Sequence, residues 1–428
     1  MSSPSRREKA VRETSTDYTH PYRPRPVAML NRVLSATDGR LDAHAMVRAA
    51  EKQAGSADFG PEFDILPLEK LCESVNQEAR LTPVGLAITR GRITGIMANR
   101  LRAERLFKAH PEILQLEPTA PIFIAGLQRT GTTMLHRLLS AAPALRGLSS
   151  YEVLDPVPPS ALRTKLLGRD PRLLQAKLAE RALAYLAPDF FAIHPVEAES
   201  PEEEVMLLDY SFLSTVPEAT LRVPSFSRWL EEQDQGPAYR YLRRLLALLA
   251  WKRPEGRWVL KTPHHLEWFD TLLDVFPDAK IVHTHRDPLQ TTASFCSMIT
   301  HGRGVFSDSV DPLEVGRDWS DKVVRMITRA MDARDRHDPS HFLDVSYYDV
   351  MRDPLAEVAR IYAFAGLELN DATRDAMRAA RENSPQHRYG KHRYALQSFG
   401  LDAESLDARF AAYRERFAIP REGQRQRA

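Results

Sequence analysis

The spacing of apolar residues changes character along the chain. Over 27–118 it is helical: Leu66, Leu68, Leu71 and Val75 share one face, as do Ile96, Leu101 and Leu106, with Gly60-Pro61 and Thr82-Pro83 as breaks. This predicts a helical N-terminal region without strands. At Pro121 the pattern becomes a short unbroken apolar run, PIFIAG, which suits a strand buried on both faces. A Gly/Thr-rich turn and a helix in TTMLHRLLSAAP follow, with Leu135, Leu138 and Leu139 as its apolar stripe.

The alternation then repeats. RWVLK (257–261), KIVHTH (280–285) and HFLDVSY (341–347) read as strands, and 266–276, 288–299 and 354–366 as helices. Strands alternating with helices of this length predict an α/β fold, a parallel sheet covered on both faces. The expected organisation is a flexible arm over 1–26 and the helical region over 27–118. An α/β domain over 119–400 follows, and a C-terminal helix or tail over 401–428. Within the domain, 155–255 reads as a helical insertion with proline-rich joints at DPVPPS and RVPSFSRW.

Charge and composition narrow the function classes. Lys and Arg number 59 against 57 Asp and Glu, a net charge of +2, which argues against nucleic-acid binding through bulk charge. Anions must be held by local clusters. Two cysteines, Cys72 and Cys296, support neither a disulfide framework nor a Cys-ligated zinc site. No apolar run spans a membrane, and the polar start does not read as a secretory signal, so the expected location is cytoplasmic.

Two segments carry candidate chemistry. The first is Gly126-Leu-Gln-Arg129-Thr130-Gly131-Thr132-Thr133, between a predicted strand and a predicted helix. A loop there presents backbone N–H groups and the positive helix end to an anion. Where an ATP-binding loop carries Lys, this one has Thr132; its cation is Arg129. No strand ends in an acid placed to hold Mg²⁺ as in nucleotide hydrolases. A sulfuryl group carries less charge than a γ-phosphoryl group, so the loop favours a phosphosulfate donor, with no metal expected. The second segment follows KIVHTH: Arg286 stands at a strand's carboxyl end, and Ser294 lies eight residues on, about two turns into the next helix. Together they suit a second phosphate.

These two segments, in this order, resemble the sulfotransferase superfamily that uses 3′-phosphoadenosine 5′-phosphosulfate (PAPS). AGLQRTGTTMLHRLL is similar to its 5′-phosphosulfate loop and IVHTHRDPLQTTASF to its 3′-phosphate segment. LKTPHHLEWFDTLLDVFPDAKIVHTHRDP resembles the bacterial branch, with its Leu-Lys-Ser/Thr-Pro-x-His pattern. The resemblance implies a P-loop NTPase-like sheet. It also implies transfer of the sulfuryl group of PAPS to a hydroxyl of a small-molecule, lipid or carbohydrate acceptor. Arg129, Thr130, Gly131, Thr132 and Thr133 would hold the 5′ end of the donor, and Arg286 and Ser294 the 3′-phosphate. Tyr347 would lie near the nucleotide, and Arg388 and Lys391 in a basic loop closing on it. A P-loop kinase and a catalytically silent nucleotide-binding module are the alternatives.

In-line sulfuryl transfer needs cations for developing charge and a base for the acceptor hydroxyl. Arg129 and Lys261, which ends RWVLK, suit the first task. His264, His265 and Glu152 are the candidates for the second, the histidines because their ordinary pKa lies near neutrality. His194 is a candidate lining of the acceptor pocket. Ser200 and Glu203 read as a capping box opening a helix at EEVMLLDYSFL. Tyr185, Phe190, Phe191, Tyr210, Phe212, Phe226 and Trp229 suit either an apolar acceptor site or core.

Overall fold

The computed structural model describes residues 13–34, 39–253, 255–382 and 391–422. Five parallel strands form one sheet in the order β2-β3-β1-β4-β5: β1 (Ile122–Gly126), β2 (Leu145–Arg146), β3 (Arg257–Lys261), β4 (Lys280–His285) and β5 (Phe342–Ser346). The register places Ile124 beside Lys261 and Val282, and Gly126 beside Thr284. The four expected strands are present. The fifth, β2, is two residues long and reads in sequence as loop.

Both sheet faces are covered because the strands are apolar on both sides. Phe123, Ala125, Leu260 and Ile281 join one buried cluster; Ile122, Ile124, Val259 and Val282 join the other. Period-two alternation sorts them. Helices Thr132–Ser140 and Pro354–Phe364 cover the second face through Leu135, Leu138, Leu139, Val358 and Ile361. The first face packs on helices Gly236–Lys252, Phe269–Val275, Pro288–Phe306 and Pro312–Arg336. Helix Gly236–Lys252, from the expected insertion, shares this buried cluster with the first face and packs beside helix Phe269–Val275.

The N-terminal region is helical as expected, and its Leu68, Leu71, Val75, Ile96 and Leu101 belong to the same cluster as Phe123. Within the expected flexible arm, residues 13–26 are docked. Tyr18 is buried, Thr14 N–H donates to the Lys391 carbonyl (3.1 Å), and Tyr18 OH donates to Ser297 Oγ (3.1 Å). Low local hydrophobicity hid this, because a single anchoring aromatic is invisible to periodicity.

The capping box expected at Ser200 does not form. Ser200 Oγ donates to Glu197 Oε2 (2.9 Å), and the helix begins at Val205. The box lies at Ser149 instead, whose N–H donates to Glu152 Oε2 (3.0 Å). Tyr210, Phe212, Phe226 and Phe191 are core, Trp229 packs against it, Phe190 is half-buried and Tyr185 is exposed.

Candidate active site

The carboxyl ends of β1, β3 and β4 converge at the loop Gly126–Thr133. Gly126 is required by close approach: a Cβ there would run into Thr284 Oγ1 on β4. Thr130 is fully buried, its Oγ1 2.6 Å from both the Leu127 carbonyl and Thr284 Oγ1. Its hydroxyl therefore ties the loop to the sheet, and only its backbone N–H remains for an anion. Arg129 (φ 69°) and Gly131 (φ 88°) both take left-handed backbone, which turns successive N–H groups toward one side. Helix Thr132–Ser140 starts at Gly131 with no side-chain cap, so its first N–H groups are open to a ligand. Thr133 and Arg129 are exposed at the mouth, and Thr132 is buried. Arg129 forms no ion pair with a described residue.

Arg286 is bound into the same loop. Its Nη1 donates to the Arg129 carbonyl (2.8 Å), and its guanidinium carbon lies 4.0 Å over the Tyr347 ring. Tyr347 also borders Gly131, 3.6 Å from where a Cβ would stand. These three expected residues are thus brought together. Arg286 also holds a carboxylate, Glu422, from the C-terminal end. Ser294 is buried in helix Pro288–Phe306, with Oγ 3.4 Å from His392 Nδ1; the other nitrogen of that ring lies 2.9 Å from Ser297 Oγ. Burial, and then the charge of Arg129, push the pKa of His392 down to about 3. Ser294 therefore meets the Arg129 side of the loop through His392, a residue the sequence did not single out. Lys391 is exposed and contacts the N-terminal arm through its backbone. Arg388 lies outside the described residues.

The three candidate bases occupy different environments. His265 is completely buried, with Nδ1 2.7 Å from Tyr239 OH and Nε2 2.6 Å from Glu204 Oε1. Both ring nitrogens are engaged, so it faces no crevice. Glu152 is buried between Arg146 (3.2 Å) and Arg253 (3.5 Å) and caps its own helix. Both of its carboxylate oxygens are thus engaged. His264 is buried against Trp268, with Nδ1 3.3 Å from Thr215 Oγ1 and Nε2 without a partner among the described residues. Burial, and then its neighbour His265, hold it well below the usual histidine range, so its ring is neutral.

Lys261 is nine-tenths buried at the end of β3, with its ammonium on the Glu203 carboxylate and its N–H donating to Glu204 Oε2 (2.7 Å). Beside this pair, Glu202 lies 3.6 Å from His194. Burial opposes charge on both, but their mutual attraction outweighs it. Glu202 falls to about 2, and His194 is raised above its ordinary value. The three consecutive glutamates therefore serve three different partners. Their run ahead of an apolar stretch was the only sequence signal, and it also fits a helix start.

Among the described residues, one group has metal-ligand geometry: His283, His285 and Asp344 on β4 and β5. Arg334 Nη1 already sits there, 3.1 Å from His283 Nδ1 and in close contact with Asp344 Oδ1. A guanidinium thus supplies the cation for this group.

Comparison with known proteins identifies the family. The Sulfotransferase family profile matches residues 121–371. The omega-hydroxy-beta-dihydromenaquinone-9 sulfotransferases of Mycobacterium tuberculosis and Mycobacterium bovis are 30% identical over 266 residues, 58% of this chain. The chain spans about 63% of the length of these curated relatives. The crystal structure of sulfotransferase STF1 from Mycobacterium tuberculosis is 34% identical, with a TM-score of 0.77 over 88% of this chain and 100% of that one. That of STF9 from Mycobacterium avium is 29% identical, with a TM-score of 0.80 over 90% and 99%. With a family match that spans the whole sheet and the loop Gly126–Thr133, this chain belongs to the Sulfotransferase family.

Proposed function

We propose that the protein transfers the sulfuryl group of PAPS to a hydroxyl of a lipid-like acceptor. The observation that carries this reading is the junction of Arg286, the Arg129 carbonyl and the Tyr347 ring at an uncapped helix start. One cation reaches the loop from β4, and an aromatic face lies beside it. That set suits a nucleotide carrying a second phosphate, held at the loop by N–H groups, Arg129 and Thr133 and by Arg286 at the other.

The acceptor oxygen forms a bond to sulfur on the face opposite the leaving group. The sulfur–oxygen bond to the 5′-phosphate breaks, and 3′-phosphoadenosine 5′-phosphate (PAP) departs with the bonding pair. The acceptor proton must go to a base. We assign this role to Glu203, the carboxylate paired with Lys261 at the carboxyl end of β3. When Lys261 turns to the charge on the sulfuryl oxygens, that carboxylate is released to take the proton. His264, neutral and with Nε2 unpartnered among the described residues, is the other group able to accept one.

The acceptor class rests on the relatives whose name specifies an omega-hydroxylated dihydromenaquinone. Incubation with isotopically labelled PAPS and a panel of hydroxylated quinones, phenols, steroids and sugars, read by mass spectrometry, tests the proposal. Label should move to a lipid-like alcohol with release of PAP. Label confined to sugars would contradict the acceptor class, and phosphoryl transfer from ATP would contradict the reaction.

A further inference from the structure

Two consecutive helices, Ala161–Leu167 and Pro171–Leu186, turn at Gly168 (φ 65°) and lie between the Glu152 helix and the segment that delivers His194. Their inner side is anchored: Ala176 is buried, and Arg172 Nη1 donates to the Asp155 carbonyl (3.0 Å). Their outer side is apolar. Leu166 is 76% exposed, Leu167 54%, Leu174 49%, Leu178 57% and Tyr185 53%. Leu174, Leu178 and Tyr185 fall on one helical stripe, since their spacings of four and seven residues return to the same face. An apolar stripe facing water marks an interaction site.

The charge around the stripe identifies the partner. Residues 161–186 carry six basic side chains (Arg163, Lys165, Arg169, Arg172, Lys177, Arg181) and two acidic ones (Asp170, Glu180), a net of +4. The whole chain carries +2, so everything else carries −2. Both acids are occupied internally: Asp170 holds Arg172 (2.7 Å), and Glu180 accepts from the Ala198 N–H (3.0 Å). Lys165, Arg169 and Arg181 are exposed and pair with no described residue. Leucines interleaved with unpaired cations, on helices too short to cross a bilayer, match an interfacial amphipathic surface.

We propose that this helical pair docks on an anionic lipid bilayer. The leucines enter the acyl boundary, and Lys165, Arg169 and Arg181 lie at the headgroups. On the proposed reading, the second helix leads from the docked face toward the acceptor. At the end of the second helix, Leu186, Ala187 and Phe190 line a cavity of about 250 Å³ with Tyr18 and Pro21 of the arm. From there the chain runs to His194 and the glutamates at Lys261. A lipid-like acceptor leaving the bilayer would meet these residues first.

Sedimentation of the full chain with vesicles tests this without donor or acceptor, so its outcome is independent of the sulfotransferase reading. The protein should pellet with phosphatidylglycerol-containing vesicles, less so at high salt, and not with pure phosphatidylcholine. Lys165→Gln/Arg169→Gln/Arg181→Gln should weaken partitioning by about a hundredfold, at roughly fivefold per basic residue. Leu166→Gln/Leu178→Gln should also release the protein, while both variants keep the wild-type melting temperature because the sites are exposed. Wild-type protein that ignores anionic vesicles would overturn the proposal, as would variants that bind like wild type. A wild-type dimer that the leucine variant dissociates would assign the face to a second copy of the chain and also overturn it.

Discussion

Arg286 grips the carboxylate of Glu422 with two donors, Nε to Oε1 at 2.6 Å and Nη2 to Oε2 at 3.1 Å. Tyr348 OH adds a third at 3.3 Å, and the Glu422 N–H is itself fixed on Asp287 (2.8 Å). A carboxylate thus occupies, on Arg286, the place assigned to the donor's 3′-phosphate.

It follows that Glu422 and the nucleotide compete for one guanidinium. Glu422→Gln removes the competing charge and leaves a neutral amide of the same size. PAP affinity should rise by about three- to tenfold, the scale of a partly exposed ion pair. Unchanged or weaker binding by calorimetry would show that the anion contacts Arg286 elsewhere.

The second prediction concerns proton transfer. Glu203→Gln should lower kcat by about 10²- to 10⁴-fold with little change in PAP affinity, because the carboxylate acts on the acceptor. Lys261→Ala should lower kcat by about 10²-fold or more, as for loss of one preorganised donor. His264→Ala should retain most activity. An active Glu203→Gln beside an inactive, folded His264→Ala would move the base to His264.

Stability should also report the first helix of the sheet domain. His136 is buried there, Nε2 3.3 Å from the Val259 carbonyl, and burial, followed by the charge of Lys261, pushes its pKa down to about 4. The unfolded chain takes up this proton near pH 6.5, while the native state does not until about pH 4. Stability therefore falls on acidification through that window and changes little with this group above or below it. The contribution is about 3 kcal/mol at most. Denaturant titrations between pH 7 and pH 4 should show a shallower decline in His136→Leu than in wild type; parallel declines would contradict the assignment.

What the sequence shows about this site depends on how local each feature is. The loop Gly126–Thr133 and the step from Arg286 to Ser294 are legible because turn, helix start and strand end are each set within a few residues. The strands β1, β3 and β4 are legible because they are apolar on both faces. The short edge strand β2 is not, since two residues give no period. The pairing of Glu203 with Lys261 is also hidden, because it joins positions 58 residues apart through tertiary packing. Glu152 illustrates the reverse problem. Its position after the loop helix suited a base, but Arg146, six residues before it, and Arg253, 101 residues after it, close over it, and the second of these no spacing rule connects. The same limit applies to His265, whose ring is enclosed by Tyr239 and Glu204.

The most direct test of the donor assignment is calorimetric binding in EDTA of PAP and of adenosine 5′-phosphosulfate, which lacks the 3′-phosphate, to wild type and Arg286→Ala. The account predicts metal-independent binding of PAP, weakened by about 2–4 kcal/mol in Arg286→Ala, with a much smaller loss for adenosine 5′-phosphosulfate. Equal losses for the two nucleotides, or nucleotide binding that requires Mg²⁺, would contradict it.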